Sequence, residues 1–135
     1  MEELGPPESR ACWRDVPDVV PLAGKDGAVV WKISCPPTDG PGVLARIKAQ
    51  RPAARCFYDW SGGLIWLALP PSPDADQALV RGALAAGHAT LVRGDEAVRR
   101  SVAVFQPQLT ALAALTARVK ESFDPKGLFN PGRMG

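Results

Sequence analysis

The chain has 135 residues, of which 46% are hydrophobic and 22% charged, the balance of a single globular domain rather than of a disordered or fibrous protein. Its 16 basic and 14 acidic residues give a net charge of +2, too small for the basic surface of a dedicated nucleic-acid binder. No apolar run is long enough to cross a bilayer, and the first residues are acidic where a secretory signal would be basic and then apolar. We therefore expect a cytoplasmic protein.

The three cysteines, Cys12, Cys35 and Cys56, lie more than 20 residues apart and form no CxxC pair. His88 is the one histidine, so no cysteine and histidine cluster has the spacing of a zinc site or a redox dithiol. We expect free thiols and no bound metal.

The start of the chain, residues 1–10, contains a glycine, two prolines and three glutamates and predicts a flexible, linker-like segment. Residues 11–135 are predicted to form one folded domain. It opens with a short helical turn over residues 11–16, which Pro17 prevents from continuing.

The first strand is predicted over residues 28–35, because side chains of opposite character alternate there. One side of this strand is Val29, Trp31, Ile33 and Cys35, and the other is Val30, Lys32 and Ser34. A short amphipathic helix is predicted over residues 42–50, capped near Thr38 or Asp39.

Two more strands, residues 54–60 and 64–69, are separated only by Ser61-Gly62-Gly63, a link short enough to predict an antiparallel hairpin. A second helix is predicted from Ser72, its N-cap, to about residue 86, because proline and aspartate follow the cap. A fourth strand, residues 88–93, comes directly after it.

The C-terminal part is predicted to contain the longest helix, over residues 107–123. One face of this helix is formed by Leu109, Leu112, Thr116, Val119 and Phe123. Asp124 ends it because the residue before a proline disfavours helical geometry. Residues 95–100 predict a turn of helix, and the apolar residues 101–105 have no periodicity that assigns them.

The order strand, helix, strand, strand, helix, strand predicts an α+β, ferredoxin-like fold with an extra C-terminal helix. In that fold a four-stranded antiparallel sheet carries its helices on one face, and its first and third strands are central. The third strand is apolar on both sides, as a central strand should be.

Five residues are candidates for a binding site on the opposite, open face of this sheet: Lys32, Ser34, Trp66, His88 and Thr90. If Val29 and Trp31 face the helices, then Lys32 and Ser34 point away from them. If Ala89 and Leu91 likewise face the helices, His88 and Thr90 lie on the same open side. The third strand adds either Trp66 and Ala68 or Ile65 and Leu67. An apolar floor with a cation, an imidazole and two hydroxyls suits a small carboxylate or a partner domain. Alternatively, the unassigned segments simply cover this face.

The sequence assigns no catalytic residue. There is no GxGxxG or Walker-type loop, no recognisable nucleophile motif near His88, and no aromatic RNA-stacking motif.

The C-terminal residues 119–134 resemble the tail of FAD-linked oxidases of the vanillyl-alcohol oxidase type. In that superfamily a final helix leads into Asp-Pro, a glycine, a large apolar residue and Asn-Pro-Gly, as at Asp124-Pro125 and Asn130-Pro131-Gly132. Residues 30–37, 58–67 and 86–93 are similar to the C-terminal half of the FAD-binding subunit of glycolate oxidase. The resemblance extends over residues 11–134.

The resemblance implies oxidation of glycolate to glyoxylate by a complex of two related flavin-type subunits and an iron–sulfur subunit, which passes electrons to an acceptor other than oxygen. That complex would hold the protein peripherally at the inner membrane. The family's FAD-binding domain precedes the matching segment. This chain would therefore be the C-terminal cap or substrate domain, as a truncated product or a fragment, inactive alone and with no FAD bound to it.

The resemblance also singles out individual residues. Asn130 and Arg133 in the tail would approach the cofactor or the partner domain. Lys32 stands where the family has arginine, and a lysine keeps the charge but not the planar fork that binds a carboxylate through two hydrogen bonds.

A function of another class is a free-standing ferredoxin-like module that binds a small carboxylate, or dimerises through its open sheet face, as a regulatory domain. Such a module would bind or dimerise unaided, whereas a cap domain would need its companion polypeptide.

Overall fold

The computed structural model describes residues 5–16, 19–24 and 27–129, apart from the side chain of Cys12. In chain order the helices and strands are α1 (Pro6–Asp15), β1 (Val29–Ser34), α2 (Gly40–Gln50), β2 (Arg55–Asp59), β3 (Leu64–Leu69), α3 (Gln77–Gly82), β4 (His88–Arg93), α4 (Glu96–Ser101) and α5 (Thr110–Phe123). Short 3-10 turns lie at Val20–Leu22 and Trp60–Gly62. Among the described residues, no helix is long and apolar enough to cross a bilayer.

The four strands form one antiparallel sheet in the order β2-β3-β1-β4. This is the predicted ferredoxin-like α+β arrangement, with the first and third strands in the centre. All six residues of β3 are buried, because strands lie on both sides of it and side chains cover both of its faces. The predicted limits of β3 and β4 are confirmed.

The main core lies between the sheet and the helices. Trp31 and Ile33 of β1 have no exposed surface and pack with residues of α2 such as Ile47. A smaller cluster on the opposite face contains Leu22, Ala28, Val30, Leu64, Trp66 and Ala68. The alternation along β1 therefore separates the two faces as predicted.

The segment expected to be a flexible linker is helical from Pro6 onward. Prolines at the start of a helix lose no hydrogen bond, since the first N–H groups have no partner within the helix. The carboxylate of Glu8 accepts a hydrogen bond from the backbone N–H of Gly5 at 2.8 Å. The helix thus begins earlier than the sequence predicts, although none of its described side chains is buried.

The second predicted helix is much shorter than expected, spanning only Gln77–Gly82. Ala75 and Asp76 have φ angles of 55° and 53°, in the left-handed region, so the helix cannot start at Ser72. Long-range contacts hold this bend: the indole of Trp31 donates to the Ala75 carbonyl at 2.9 Å, and the Asp76 carboxylate pairs with the guanidinium of Arg51 at 2.6 Å.

The unassigned residues after α4 protect the outer edge of the sheet. The N–H of Leu91 in β4 donates to the carbonyl of Val104 at 2.8 Å. The Arg81 guanidinium on α3 donates to the carbonyls of Ala103 and Phe105. Residues 102–106, the edge segment, therefore cover backbone groups that an edge strand would otherwise expose.

The long C-terminal helix ends at Phe123 as predicted and begins at Thr110 rather than at residue 107. None of its residues is buried, although the apolar periodicity predicts a packed face. Its large apolar side chains are at least half exposed, and so are those next to it: Leu109, Leu112, Leu115, Val119, Phe123, Leu128 and Phe129. Against expectation, the helix contributes nothing to the core of the described residues.

Cys35 and Cys56 are free thiols, as expected. Burial, with a smaller effect of the nearby Asp39 carboxylate, raises the pKa of the Cys35 thiol. Cys35 therefore serves as a small apolar core residue.

Candidate functional site

The strand register divides the open face, the side of the sheet away from α2 and α3, into three rows of cross-strand neighbours. From β2 to β4 the rows are Arg55, Ala68, Val30 and Arg93; then Phe57, Trp66, Lys32 and Thr90; then Asp59, Leu64, Ser34 and His88. This register selects Trp66 and Ala68, not Ile65 and Leu67, as the floor of the face.

The five predicted site residues all lie in the second and third rows. Lys32 is flanked by Trp66 and Thr90, and Ser34 is paired with His88. Directly opposed residues in an antiparallel pair have Cβ atoms about 4.5–5.5 Å apart. Lys32 and His88 are exposed, whereas Ser34 and Thr90 are half-buried. Within the part of the chain that the structure describes, none of these four polar side chains makes a hydrogen bond or an ion pair.

The floor of this site is an aromatic pair. The rings of Phe57 and Trp66 are stacked, with centroids 6.3 Å apart. The ammonium of Lys32 lies 5.4 Å from the centroid of the Trp66 ring, within the distance of a cation–π contact. The indole nitrogen of Trp66 is buried and has no hydrogen-bond partner among the residues that the structure describes.

Gly87 brings His88 against Ser34. Its φ is 103°, and a Cβ atom built there would lie 2.0 Å from the backbone oxygen of Ser34. Only glycine allows this approach, so β4 starts in close contact with the end of β1. The sequence indicated a helix end at Gly87, but not this contact.

The first row is covered by residues 19–24, the strap. Leu22 of the strap is buried against Val30 and Ala68, and the Arg93 guanidinium donates to the Leu22 carbonyl at 2.6 Å. Beside it lies a cavity of about 330 Å³ whose lining includes Val30, Arg93 and Val19 of the strap. Coverage of the face, the alternative left open by the sequence, is thus realised for the first row and also for Leu64 and Trp66 in the other two rows, which are buried in the same cluster as Leu22. Lys32 and His88 in these two rows remain exposed.

The tail is only partly described, because Asn130 and Arg133, the two residues that the resemblance places near the cofactor, lie outside the described residues. The part that is described has a clear physical basis. The Asp124 carboxylate accepts hydrogen bonds from the N–H groups of Leu128 at 2.9 Å and Phe129 at 2.8 Å, and Gly127 has a φ of 61°. Asp124 therefore both ends α5 and closes the turn that follows.

The hydrogen bonds from Phe129 and Leu128 lower the pKa of the Asp124 carboxyl. Because the folded pKa lies below the unfolded one, the carboxylate stabilises this turn above the ordinary aspartate pKa, and the contribution is lost as the pH falls through the lowered value. We expect the amide resonances of Leu128 and Phe129 to titrate together below the ordinary aspartate range. NMR measurement of both amides against pH would check this, and Asp124→Ala should abolish the titration. A midpoint at or above the ordinary value would contradict it.

The described residues contain no group of three or more histidine, cysteine or acidic side chains that could hold a metal. Among the described residues, the imidazole of His88 makes no hydrogen bond with a hydroxyl or thiol, although Ser34 is its cross-strand neighbour. No family model, curated protein or solved structure matches this chain. The chemistry that the site offers is binding: one ammonium, two hydroxyls and an imidazole can donate hydrogen bonds to a small anion above an apolar floor.

Proposed function

We propose that this chain is the C-terminal cap or substrate domain of an FAD-linked oxidase related to the FAD-binding subunit of glycolate oxidase. It would contribute to the oxidation of glycolate to glyoxylate by binding the substrate carboxylate on its open sheet face. The observation that carries the proposal is the grouping of Lys32, Ser34, His88 and Thr90 in two adjacent rows of the open face, where Lys32 and His88 are exposed.

The charge and size of these groups favour a small carboxylate. The Lys32 ammonium supplies the positive charge in the two rows, and a lysine binds a carboxylate as a point charge. The carboxylate in these rows, Asp59, lies on the edge strand β2 and accepts a hydrogen bond from the backbone N–H of Trp60 at 2.7 Å. The hydroxyls of Thr90 and Ser34 can then bond the second carboxylate oxygen or a neighbouring hydroxyl group. On the β3 side of Lys32, the aromatic rings of the floor offer no exposed polar group to which a larger polar ligand could bind.

The residues of this chain do not by themselves fit FAD. A dinucleotide needs backbone N–H groups gathered at a glycine-rich loop or helix start to bind its pyrophosphate, and the sequence has no such motif. In this proposal the flavin, which supplies the oxidising chemistry, is bound by a domain outside these residues. The contribution of this chain is to bind and orient the carboxylate and to exclude water from that side.

The exposed apolar residues of α5 also support an assembly with another polypeptide. Leu112, Val119 and Phe123 are each at least half exposed, and the turn closed by Asp124 adds Leu128 and Phe129 beside them. Contiguous apolar surface of this kind is typical of an interface. The iron–sulfur subunit and the related flavin subunit remain the proposed partners in the complex.

Titration of the ¹⁵N-labelled chain with glycolate, without and with an added flavin-binding domain of the same family, tests carboxylate binding. A cap domain should bind glycolate only when that domain is present, whereas a regulatory module would bind it unaided. We expect amide shifts concentrated at Lys32, Ser34, His88 and Thr90. Loss of a charged hydrogen-bond donor is expected to weaken binding by about tenfold or more in Lys32→Ala. Lys48→Ala, an exposed lysine of α2 on the helix side, is the matched control and should bind normally. Equal affinities in the two variants would remove Lys32 from the site.

A second experiment separates the cap domain from the regulatory module. Visible absorption and flavin fluorescence of the chain would be recorded after FAD is added, first without and then with a flavin-binding domain of the same family. Light scattering would measure the molar mass of the chain. A cap domain should remain without flavin until the companion domain is added. A chain that dimerises, or binds FAD tightly by itself, would contradict the proposal.

A further inference from the structure

Lys32 differs from an ordinary exposed lysine on a sheet because one side of its ammonium is already occupied. Its Nζ atom lies 5.4 Å from the centroid of the Trp66 ring, although the two side chains come from different strands. A free lysine side chain samples many rotamers, so a contact at its charged end restricts where the ammonium can be.

Trp66 is itself held in place. It is 9% exposed, lies in the central strand β3 and is stacked on Phe57 at an interplanar angle of 24°. Among the described residues, its buried indole N–H has no hydrogen-bond partner, which is unfavourable. A purely apolar side chain at this position would have no donor to leave unpaired. The feature of tryptophan that the structure does use is the electron-rich ring face beneath Lys32.

The neighbours of Lys32 differ on its two sides. Trp66 adjoins it on the β3 side, and Thr90 adjoins it on the β4 side, where His88 and Ser34 form the next row. An ammonium that rests on the indole on its β3 side can direct its remaining N–H donors toward β4, where the other polar groups lie. We infer that Trp66, supported by Phe57, is a positioning residue that fixes the Lys32 ammonium for a carboxylate bound between β1 and β4.

This inference rests on the proposed carboxylate-binding function, but its first measurement does not. The chain has five lysines, which can be converted to ¹³C-dimethyl lysines with their charges kept. Methyl groups above an aromatic ring are shifted upfield by the ring current. We expect one upfield resonance, assigned to Lys32 by its disappearance in Lys32→Arg, and expect it to move to the position of an ordinary lysine in Trp66→Leu.

The second measurement is the affinity of the protein without dimethylation for glycolate, followed by amide shifts in the presence of the companion flavin-binding domain. We expect about two- to fivefold weaker binding in Trp66→Leu, the fold-change that corresponds to the loss of an exposed cation–π contact. Trp66→Phe keeps a ring beneath the ammonium and should recover most of the affinity. Because Trp66 is buried, folding of both variants is checked by circular dichroism. If Trp66→Leu does not fold, Trp66→Met, which also lacks a ring, takes its place and should bind glycolate about two- to fivefold more weakly.

The outcomes separate the two proposals. A Lys32 resonance at the ordinary lysine position would overturn the positioning role while leaving the glycolate titration to decide carboxylate binding. A shifted resonance with the same glycolate affinity in all Trp66 variants would also overturn it. If glycolate perturbs no amide of the unaltered chain when the companion domain is present, the carboxylate site itself is wrong, and the positioning role fails with it.

Discussion

Replacing Gly87 by alanine is expected to lower the free energy of unfolding by at least about 3 kcal/mol, near the upper end of single-substitution effects. The added Cβ would lie 2.0 Å from the Ser34 oxygen, and this oxygen belongs to backbone that cannot rotate away. Alanine at a φ of 103° adds conformational strain of about 1–3 kcal/mol. The clash can be relieved only by moving β4 away from β1, which would displace His88 from Ser34. Chemical denaturation followed by circular dichroism measures the loss.

Two other glycines separate strain from contact in this experiment. Gly127 has a φ of 61° and Gly82 has no positive φ, and a Cβ atom at either position meets nothing within 4 Å. Gly127→Ala should cost about 1–2 kcal/mol of local strain in the tail, and Gly82→Ala in α3 should be neutral or stabilise by up to about 1 kcal/mol. A Gly87→Ala variant as stable as Gly127→Ala would show that β4 does not approach β1 so closely.

Trp31→Ala is expected to destabilise the domain by about 3–5 kcal/mol, the usual range for truncating a fully buried tryptophan. The side chain has 0% exposure and lies in a central strand. Its indole N–H donates to the Ala75 carbonyl at 2.9 Å, and the Arg81 guanidinium lies 5.3 Å from the ring centroid. Truncation therefore leaves a cavity, an unpaired carbonyl and a guanidinium without its support.

The matched control is Trp13→Ala, because Trp13 on α1 is 68% exposed. We expect this variant to stay within about 0.5 kcal/mol of the unaltered chain. Trp31→Phe should fall between the two, since it keeps the ring and loses the hydrogen bond to Ala75. Denaturant midpoints and slopes should be measured for all three. Equal stability of Trp31→Ala and Trp13→Ala would contradict the place of Trp31 in the core.

The strands and their faces could be predicted because alternation is a local property of the sequence. Placing Trp31 on one side of β1 placed Lys32 on the other, and the hairpin link set the direction of β3. The burial of all six β3 residues then followed from their apolar character. The candidate site residues were found in the same way, since a two-residue period assigns a face without any knowledge of distant contacts.

Features decided by contacts between distant residues could not be predicted. The sequence around Ser72 has good helix-start signals, yet Trp31 and Arg51 hold the chain at Ala75 and Asp76 in a left-handed bend. The strap has no periodicity, and its place over the first row depends on Arg93, about 70 residues away along the chain, through the hydrogen bond to the Leu22 carbonyl. Local propensity carries no information on such pairings.

The apolar face of α5 illustrates a different limit. Its periodicity is that of a helix packed on a core, and the prediction of an amphipathic helix is confirmed in type and end point. Whether such a face is buried depends on what lies opposite it, which a helical period does not record. The side chains of Leu112 and Phe123 therefore have the pattern of core residues and the exposure of surface residues.

Because α5 has no buried residue, the free energy that stabilises this helix is largely separate from that of the sheet domain. A helix of 14 residues with none of them buried among the described residues is near the limit of about 12–15 residues at which helices become marginal in water. Its order is thus not enforced by the cooperative transition of the sheet domain. When a partner covers the apolar side of α5, the conformational entropy lost on fixing the helix opposes association. Binding there should therefore be accompanied by a larger enthalpy and heat-capacity change than binding to a rigid surface of the same area.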